Sequence, residues 1–189
     1  MAHDLCGKTV AILATDGFEQ SELSEPLKAL RAAGATVHVV APEGGEITGW
    51  DKTDWGDRFA VDRTLDEVGV GEYDALVLPG GQINPDKLRL EQKAVAFVHG
   101  FVGAGKPVGA ICHGPWLLVE ADVVRGRTVT SFPSIRTDLI NAGAKWVDEA
   151  VVVDQGLVTS RRPSDLPAFC AKVIEEIAEG RHEGMRRSA

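Results

Sequence analysis

Short β-branched apolar runs alternate with segments of helical period along this chain, and no other feature restricts its fold as much. Residues 8–14 (KTVAILA) read as a strand buried on both faces, broken by Asp16-Gly17. Residues 18–33 carry Leu23, Leu27 and Leu30 at helical spacing, and Gly34 supplies the stop. Residues 36–40 read as a second strand, closed by Ala41-Pro42-Glu43-Gly44-Gly45. A β-α-β opening of this kind predicts a mostly parallel sheet with helices on both faces. At 189 residues the chain suits one compact domain.

Residues 46–70 are less regular and suggest a hairpin or excursion carrying Trp50 and Trp55. Residues 73–78 (YDALVL) form a third core strand ending at Pro79-Gly80-Gly81, and residues 85–103 read as one helix. Residues 106–111 (KPVGAI) form the next strand, which runs into Cys112, and a helix starts at 114–119. A strand over 127–132, a short helix over 135–142 and a hairpin over 150–160, turning at Asp154-Gln155-Gly156, come next. A last amphipathic helix covers 166–178, and the polar tail (within residues 180–189) is expected to fray.

The net charge of −8 argues against a nucleic-acid partner and against an anionic membrane surface. No stretch resembles a membrane span or a secretory signal, so cytoplasm is the expected location. Cysteines at 6, 112 and 170 do not form a disulfide framework. Without a CxxC or HxxxH pair no metal is expected. The Asp-rich stretch 51–66 lacks the twelve-residue calcium pattern. Neither GxGxxG nor a Walker lysine accompanies Gly80-Gly81, so no cofactor is expected.

The chemistry points to residues 110–115 (AICHGP), which hold Cys112 at a strand-to-helix elbow. Gly109 and Gly114 remove side chains where backbones pass closely. Such a turn displays its residue at the carboxyl edge of the sheet, where open α/β folds bind ligands. The following helix N-terminus favours thiolate. Backbone N–H groups of Gly80, Gly81, His113 and Gly114 are candidate oxyanion donors. Cys6 and Cys170 lack such a setting. His113 is either a proton partner for the thiol or a histidine satisfying loop carbonyls.

Glu19 and Glu22 begin the first helix and share one face. An ionised carboxylate beside a thiol raises the thiol pKa, so either acid helps only when protonated. A coupled pair sharing one proton is therefore the favoured reading, with ordinary helix N-terminal acids as the alternative.

These residues resemble the PfpI-type family of the class I glutamine amidotransferase-like superfamily. The resemblance runs through Asp16-Gly17-Phe18-Glu19 with Glu22, residues 74–81 (DALVLPGG), 110–115, 141–144 (NAGA) and 160–163 (SRRP) with Asp165-Leu166-Pro167. It implies a flavodoxin-like fold, an intracellular location, and dimers or larger rings. It also implies a cysteine peptidase, deglycase-like, chaperone or oxidative-stress role. By position Cys112 matches the nucleophile, Glu22 the acid on the thiol and His113 the triad histidine. Asp86 matches an acid donated by a neighbouring subunit, here with a shorter side chain. Phe132 stands where relatives carry tyrosine or histidine. Arg162-Pro163-Ser164 replaces the His-Pro-Glu of glutaminases, which argues against glutamine hydrolysis.

Two functions follow. In one, Cys112 attacks the carbonyl of a dicarbonyl adduct or, as a further alternative, of a peptide. In the other, Cys112 is oxidised rather than turned over, in a redox sensor or chaperone.

Overall fold

The computed structural model describes residues 3–188. In chain order the elements are β1 (Thr9–Leu13), β2 (Phe18–Glu19), α1 (Gln20–Ala32), β3 (Thr36–Ala41), β4 (Glu46–Asp51), β5 (Asp54–Ala60), β6 (Arg63–Thr64) and β7 (Ala75–Leu78). They continue with α2 (Ile83–Leu88), α3 (Gln92–Gly103), β8 (Val108–Ile111), α4 (Pro115–Glu120), β9 (Thr128–Val129), α5 (Arg136–Asn141), β10 (Lys145–Trp146), β11 (Val151–Asp154), β12 (Leu157–Ser160) and α6 (Leu166–Glu179). Seven strands form the main sheet in the order β11-β12-β8-β7-β1-β3-β6. All neighbours are parallel except β11 and β12, the predicted hairpin.

Alternation along the strands divides the core in two. Ala11 and Leu13 of β1, with Leu76 and Leu78 of β7, face Phe97 and Phe101 of α3 and Leu117 of α4. Val10 and Ile12, with Ala75 and Val77, face Leu23 and Leu30 of α1 and Phe169 and Val173 of α6. Both faces are covered, so the strands read as continuous apolar runs. These features establish the flavodoxin-like α/β fold expected from the sequence.

Three elements differ from the sequence reading. The predicted helix over 85–103 is two helices, because Glu91 before α3 has extended backbone, φ −86° and ψ 103°. No Gly or Pro marks that break. The predicted strand over 127–132 keeps only β9, which pairs with β10 outside the main sheet. Beyond it, Thr130 N–H donates to Thr159 Oγ1 at 2.9 Å and Phe132 N–H donates to the Cys112 carbonyl at 2.9 Å, so the segment is stitched across the sheet edge. The tail expected to fray is docked through residue 185. Met185 is buried in the core, His182 N–H donates to Gly105 O at 2.8 Å, and the Arg127 guanidinium donates to the Met185 carbonyl. A buried apolar anchor outweighs the polar composition of the tail.

The excursion at 46–60 is a β4–β5 antiparallel hairpin with a register shift between Thr48 and Trp50. It is tied to the main body by β2–β4 pairing and by Gln20, which accepts from Asp57 N–H at 2.6 Å and donates to Asp57 Oδ2 at 3.1 Å. No helix among the described residues is long and apolar enough to cross a membrane.

Candidate active site

The chain reverses its direction of sheet building at β1. β3 is added on one side of it, and β7 and then β8 on the other. The carboxyl ends of β1, β7 and β8 therefore meet at a topological switch point, where such folds bind ligands. Glu22 lies on α1, just after β1, and Cys112 directly follows β8. In the structure β7 lies between them. What lets the two groups meet is Gly80, just past β7. A Cβ there would lie 2.5 Å from Glu22 Oε2, 2.6 Å from Cys112 Cβ and 2.7 Å from the Ile111 carbonyl oxygen.

Cys112 sits at φ 62°, the left-handed region that a side chain rarely adopts. Its backbone is held on both sides. Its N–H donates to Ser160 O at 3.0 Å and its carbonyl accepts from Phe132 N–H. Gly114 closes the elbow by donating to Ile111 O at 2.8 Å. A strained conformation of this kind costs on the order of 1–3 kcal/mol and persists only where its surroundings over-determine it.

Of the four expected oxyanion donors, two are already committed. Gly80 N–H donates to Glu22 Oε2 at 2.8 Å, and Gly114 N–H serves the elbow. The N–H groups of Gly81 and His113 remain beside the Cys112 sulfur, where both favour its thiolate, and that of Gly81 also acts on the Glu22 carboxyl.

The expected thiolate-favouring helix end does not dominate. α4 has six residues, and Cys112 is only 7% exposed. Burial first, then the neighbouring Glu22 charge, pushes the thiol above its ordinary range, against the opposing pull of the two N–H groups. Glu22 is fully buried, and its pKa is raised to about 8 by burial foremost and by the Glu19 charge, despite the Gly80 bond. Its Oε1 is buried without a hydrogen-bond partner. Both groups thus favour their protonated forms at neutral pH.

His113 is buried, and burial holds its imidazole below the usual pKa. Nδ1 lies 3.2 Å from Cys112 Sγ and Nε2 lies 3.0 Å from Ser134 Oγ. Phe132 stacks on the ring at 5.0 Å between centroids, and Trp116 meets it edge-on at 5.2 Å. Glu19 stands at the N-cap position of α1 without a side-chain capping bond, and its Oε1 accepts from Ser21 Oγ at 3.0 Å. Cys112, His113, Glu22 and Glu19 line one cavity of about 470 Å³, together with Phe132, Gly81, Trp50 and Lys52. Asp86 does not join them. It is exposed on α2 and outside the lining residues.

Sequence reasoning missed Ser134, Trp50 and Lys52 as parts of this site. Trp50 lines the cavity, packed edge-on against Trp55 at 5.5 Å and donating from Nε1 to Lys52 O at 3.0 Å. The pairing of β4 with β2 and the Gln20–Asp57 bonds carry the hairpin to the cavity, and no local pattern encodes those contacts. Ser134 carries no sequence signal beyond its nearness to Phe132.

A family model described as the DJ-1/PfpI family matches residues 8–176. Protein/nucleic acid deglycase 2 of Escherichia coli is 47% identical over 163 residues, 86% of this chain and 93% of that protein. General stress protein 18 of Bacillus subtilis is 46% identical over 165 residues, 86% of this chain and 94% of that protein. Among solved structures, a two-domain protein of Anabaena variabilis with DJ-1/ThiJ/PfpI-like and ferritin-like domains superposes with a TM-score of 0.85 at 39% identity. That match covers 90% of this chain and 48% of the Anabaena chain. The strained cysteine, the buried glutamic acid reaching it past a glycine and the match over nearly the whole fold agree: the chain belongs to the DJ-1/PfpI family.

Proposed function

We propose that this protein is a cysteine-dependent enzyme of the deglycase type, acting on carbonyl adducts formed by small dicarbonyls. The observation that carries this reading is the fully buried Glu22 carboxyl beside Cys112 at the wall of an accessible cavity, where burial favours its protonated form. A carboxylic acid held neutral at pH 7 donates a proton where a carboxylate would only repel the thiolate. The thiol of Cys112 passes its proton to His113 and adds to the electrophilic carbonyl. The oxygen that becomes negative accepts hydrogen bonds from the N–H groups of Gly81 and His113. Glu22 protonates that oxygen and takes the proton back as the adduct breaks down.

The peptidase reading has less support. It needs an acid on His113 Nε2, and in this chain that nitrogen faces Ser134 while Asp86 lies elsewhere. Assembly into dimers or larger rings, with Asp86 supplied by a second copy, belongs to that alternative. A cytoplasmic location is part of the proposal. The net charge of −8 favours protein-borne or free small-molecule adducts over nucleic acid.

The sensor reading rests on the same Glu22, since a proton donor beside sulfur also stabilises an oxidised cysteine. The test is turnover of methylglyoxal-treated amino acids and of a peptide panel by wild type and Cys112→Ala, beside intact-mass measurement after graded peroxide. Loss of adduct turnover by at least about a thousandfold in the variant is expected. Selective oxygen gain at Cys112 with no turnover of any substrate would sink the enzyme reading.

A further inference from the structure

The His113 imidazole has one nitrogen on the nucleophile and the other on a hydroxyl, and the two partners sit in different surroundings. Cys112 and His113 are buried, whereas Ser134 is exposed. The three atoms in line are Cys112 Sγ, 3.2 Å from Nδ1, and Ser134 Oγ, 3.0 Å from Nε2. Phe132 and Trp116 hold the ring in place between them.

The charged groups near this ring are turned elsewhere. Asp138 of α5 accepts from Trp116 Nε1–H at 2.8 Å. The Arg89 guanidinium lies 5.4 Å from the Trp116 ring centre and pairs with Glu120 at 3.2 Å. Glu22 and Glu19 of α1 share the cavity, and Glu22 is coupled to the sulfur, not to Nε2. Burial is what shifts His113, with no neighbouring charge contributing.

A carboxylate opposite Nε2 could only accept and would fix the ring proton there. A hydroxyl both donates and accepts. Ser134 can take a hydrogen bond from Nε2–H, which leaves the Nδ1 lone pair facing the thiol, or give one to bare Nε2 once Nδ1 is protonated. We propose that Ser134 is a positioning residue that lets His113 exchange tautomers and so passes the Cys112 proton from the buried pair to solvent.

The step balances. The S–H bond breaks as Nδ1–H forms, and the electron pair stays on sulfur. The Nε2 proton moves to Ser134 Oγ as that oxygen releases its own proton to bulk water. The ring is neutral before and after. The inference rests on the reading of Cys112 as the nucleophile and His113 as its proton partner.

The test is the rate of Cys112 alkylation by iodoacetamide against pH, located by peptide mass, with ¹⁵N NMR of the His113 ring. Variants are Ser134→Ala, Ser134→Thr and Ser134→Asp, at an exposed position where folding is not at stake. Ser134→Ala should slow alkylation at pH 7 about tenfold, and Ser134→Thr should stay within about twofold of wild type. Ser134→Asp should show a single Nε2–H tautomer and an acid limb moved up by about one pH unit or more. Wild type should show ring signals averaged over both tautomers.

Profiles and ring signals unchanged in Ser134→Ala and Ser134→Asp would overturn the inference. So would a wild-type ring locked as Nε2–H, the mark of an acid from a second copy. Altered alkylation without turnover of any substrate would fault the enzyme reading and leave the relay standing. Turnover with unaltered alkylation would do the reverse.

Discussion

Two of the three cysteines share a burden and differ in everything else. Cys170, on α6, is half-buried, and its thiol is pushed up to about 11 by burial and then by the Glu25 charge. Cys112 is more deeply buried and pushed up further, again by burial first. Burial alone therefore makes a thiol inert at both places. The elbow adds what α6 lacks: two backbone N–H groups on the sulfur, an imidazole nitrogen at 3.2 Å, a carboxyl that holds its proton to about pH 8, and an open cavity. In the proposed function, reactivity is a property of the partners that burial leaves in place.

The sharpest way to break this contrast is Gly80→Ala. The new methyl would have to occupy space within 2.5–2.7 Å of Glu22, Cys112 and the Ile111 carbonyl. One of those contacts is backbone and cannot swing aside. Overpacking of this kind costs about 3 kcal/mol, which lowers Tm by roughly 6–12 °C in a domain of this size. Turnover should fall at least about a hundredfold, because Glu22 and Cys112 are driven apart. A crystal structure or thermal melt showing wild-type stability with intact turnover would remove Gly80 as the gate between the two groups.

Why this glycine matters was only half legible in the sequence. The alternating apolar runs, the elbow at Cys112 and the acids opening the first helix could be read locally, because each is set by short-range pattern. The identity of the strand between Glu22 and Cys112 was not, because strand order is a long-range property. The same holds for Trp50, which a register shift and a two-residue strand bring to the cavity, and for Ser134, which depends on the Phe132–Cys112 backbone bond. That Gly80 and Gly114, two of the four candidate oxyanion donors, are engaged elsewhere follows from bonds no local pattern encodes. Arg89-Leu90-Glu91 ends a helix with no punctuating residue, so the break at Glu91 had no signature.

A second variant, Glu22→Gln, sharpens the comparison by separating the proton from the shape. Unfolded, Glu22 loses its proton near its ordinary value of 4.5; folded, it keeps it to about 8. Between those values the folded chain holds one more proton than the unfolded chain, so stability declines as pH rises through the window and the full cost is present above pH 8. The amide cannot ionise, yet its carbonyl can still accept from Gly80 N–H. The variant should match wild type in stability at pH 5 and exceed it at pH 9 by on the order of a few kcal/mol, since each pKa unit is worth about 1.4 kcal/mol. Turnover should drop about ten- to a hundredfold, because the amide donates but does not transfer a proton. Chemical denaturation at the two pH values measures the first effect. Equal stability differences at both would show that Glu22 is ionised in the folded protein at neutral pH.

The smallest effect belongs to Cys170→Ala. This thiol packs at the edge of the α1–α6 core and has none of the elbow's donors. Removing one sulfur from a half-buried site should cost about 1 kcal/mol, read as a fall of roughly 2–4 °C in Tm. Turnover and the peroxide response of Cys112 should stay at wild-type levels. In iodoacetamide labelling at pH 8, Cys170 should be the slowest of the three thiols, behind the exposed Cys6 and the assisted Cys112. If Cys170 were alkylated as fast as Cys112, partial burial would be no barrier, and the elbow's partners would lose their claim to be what makes Cys112 different.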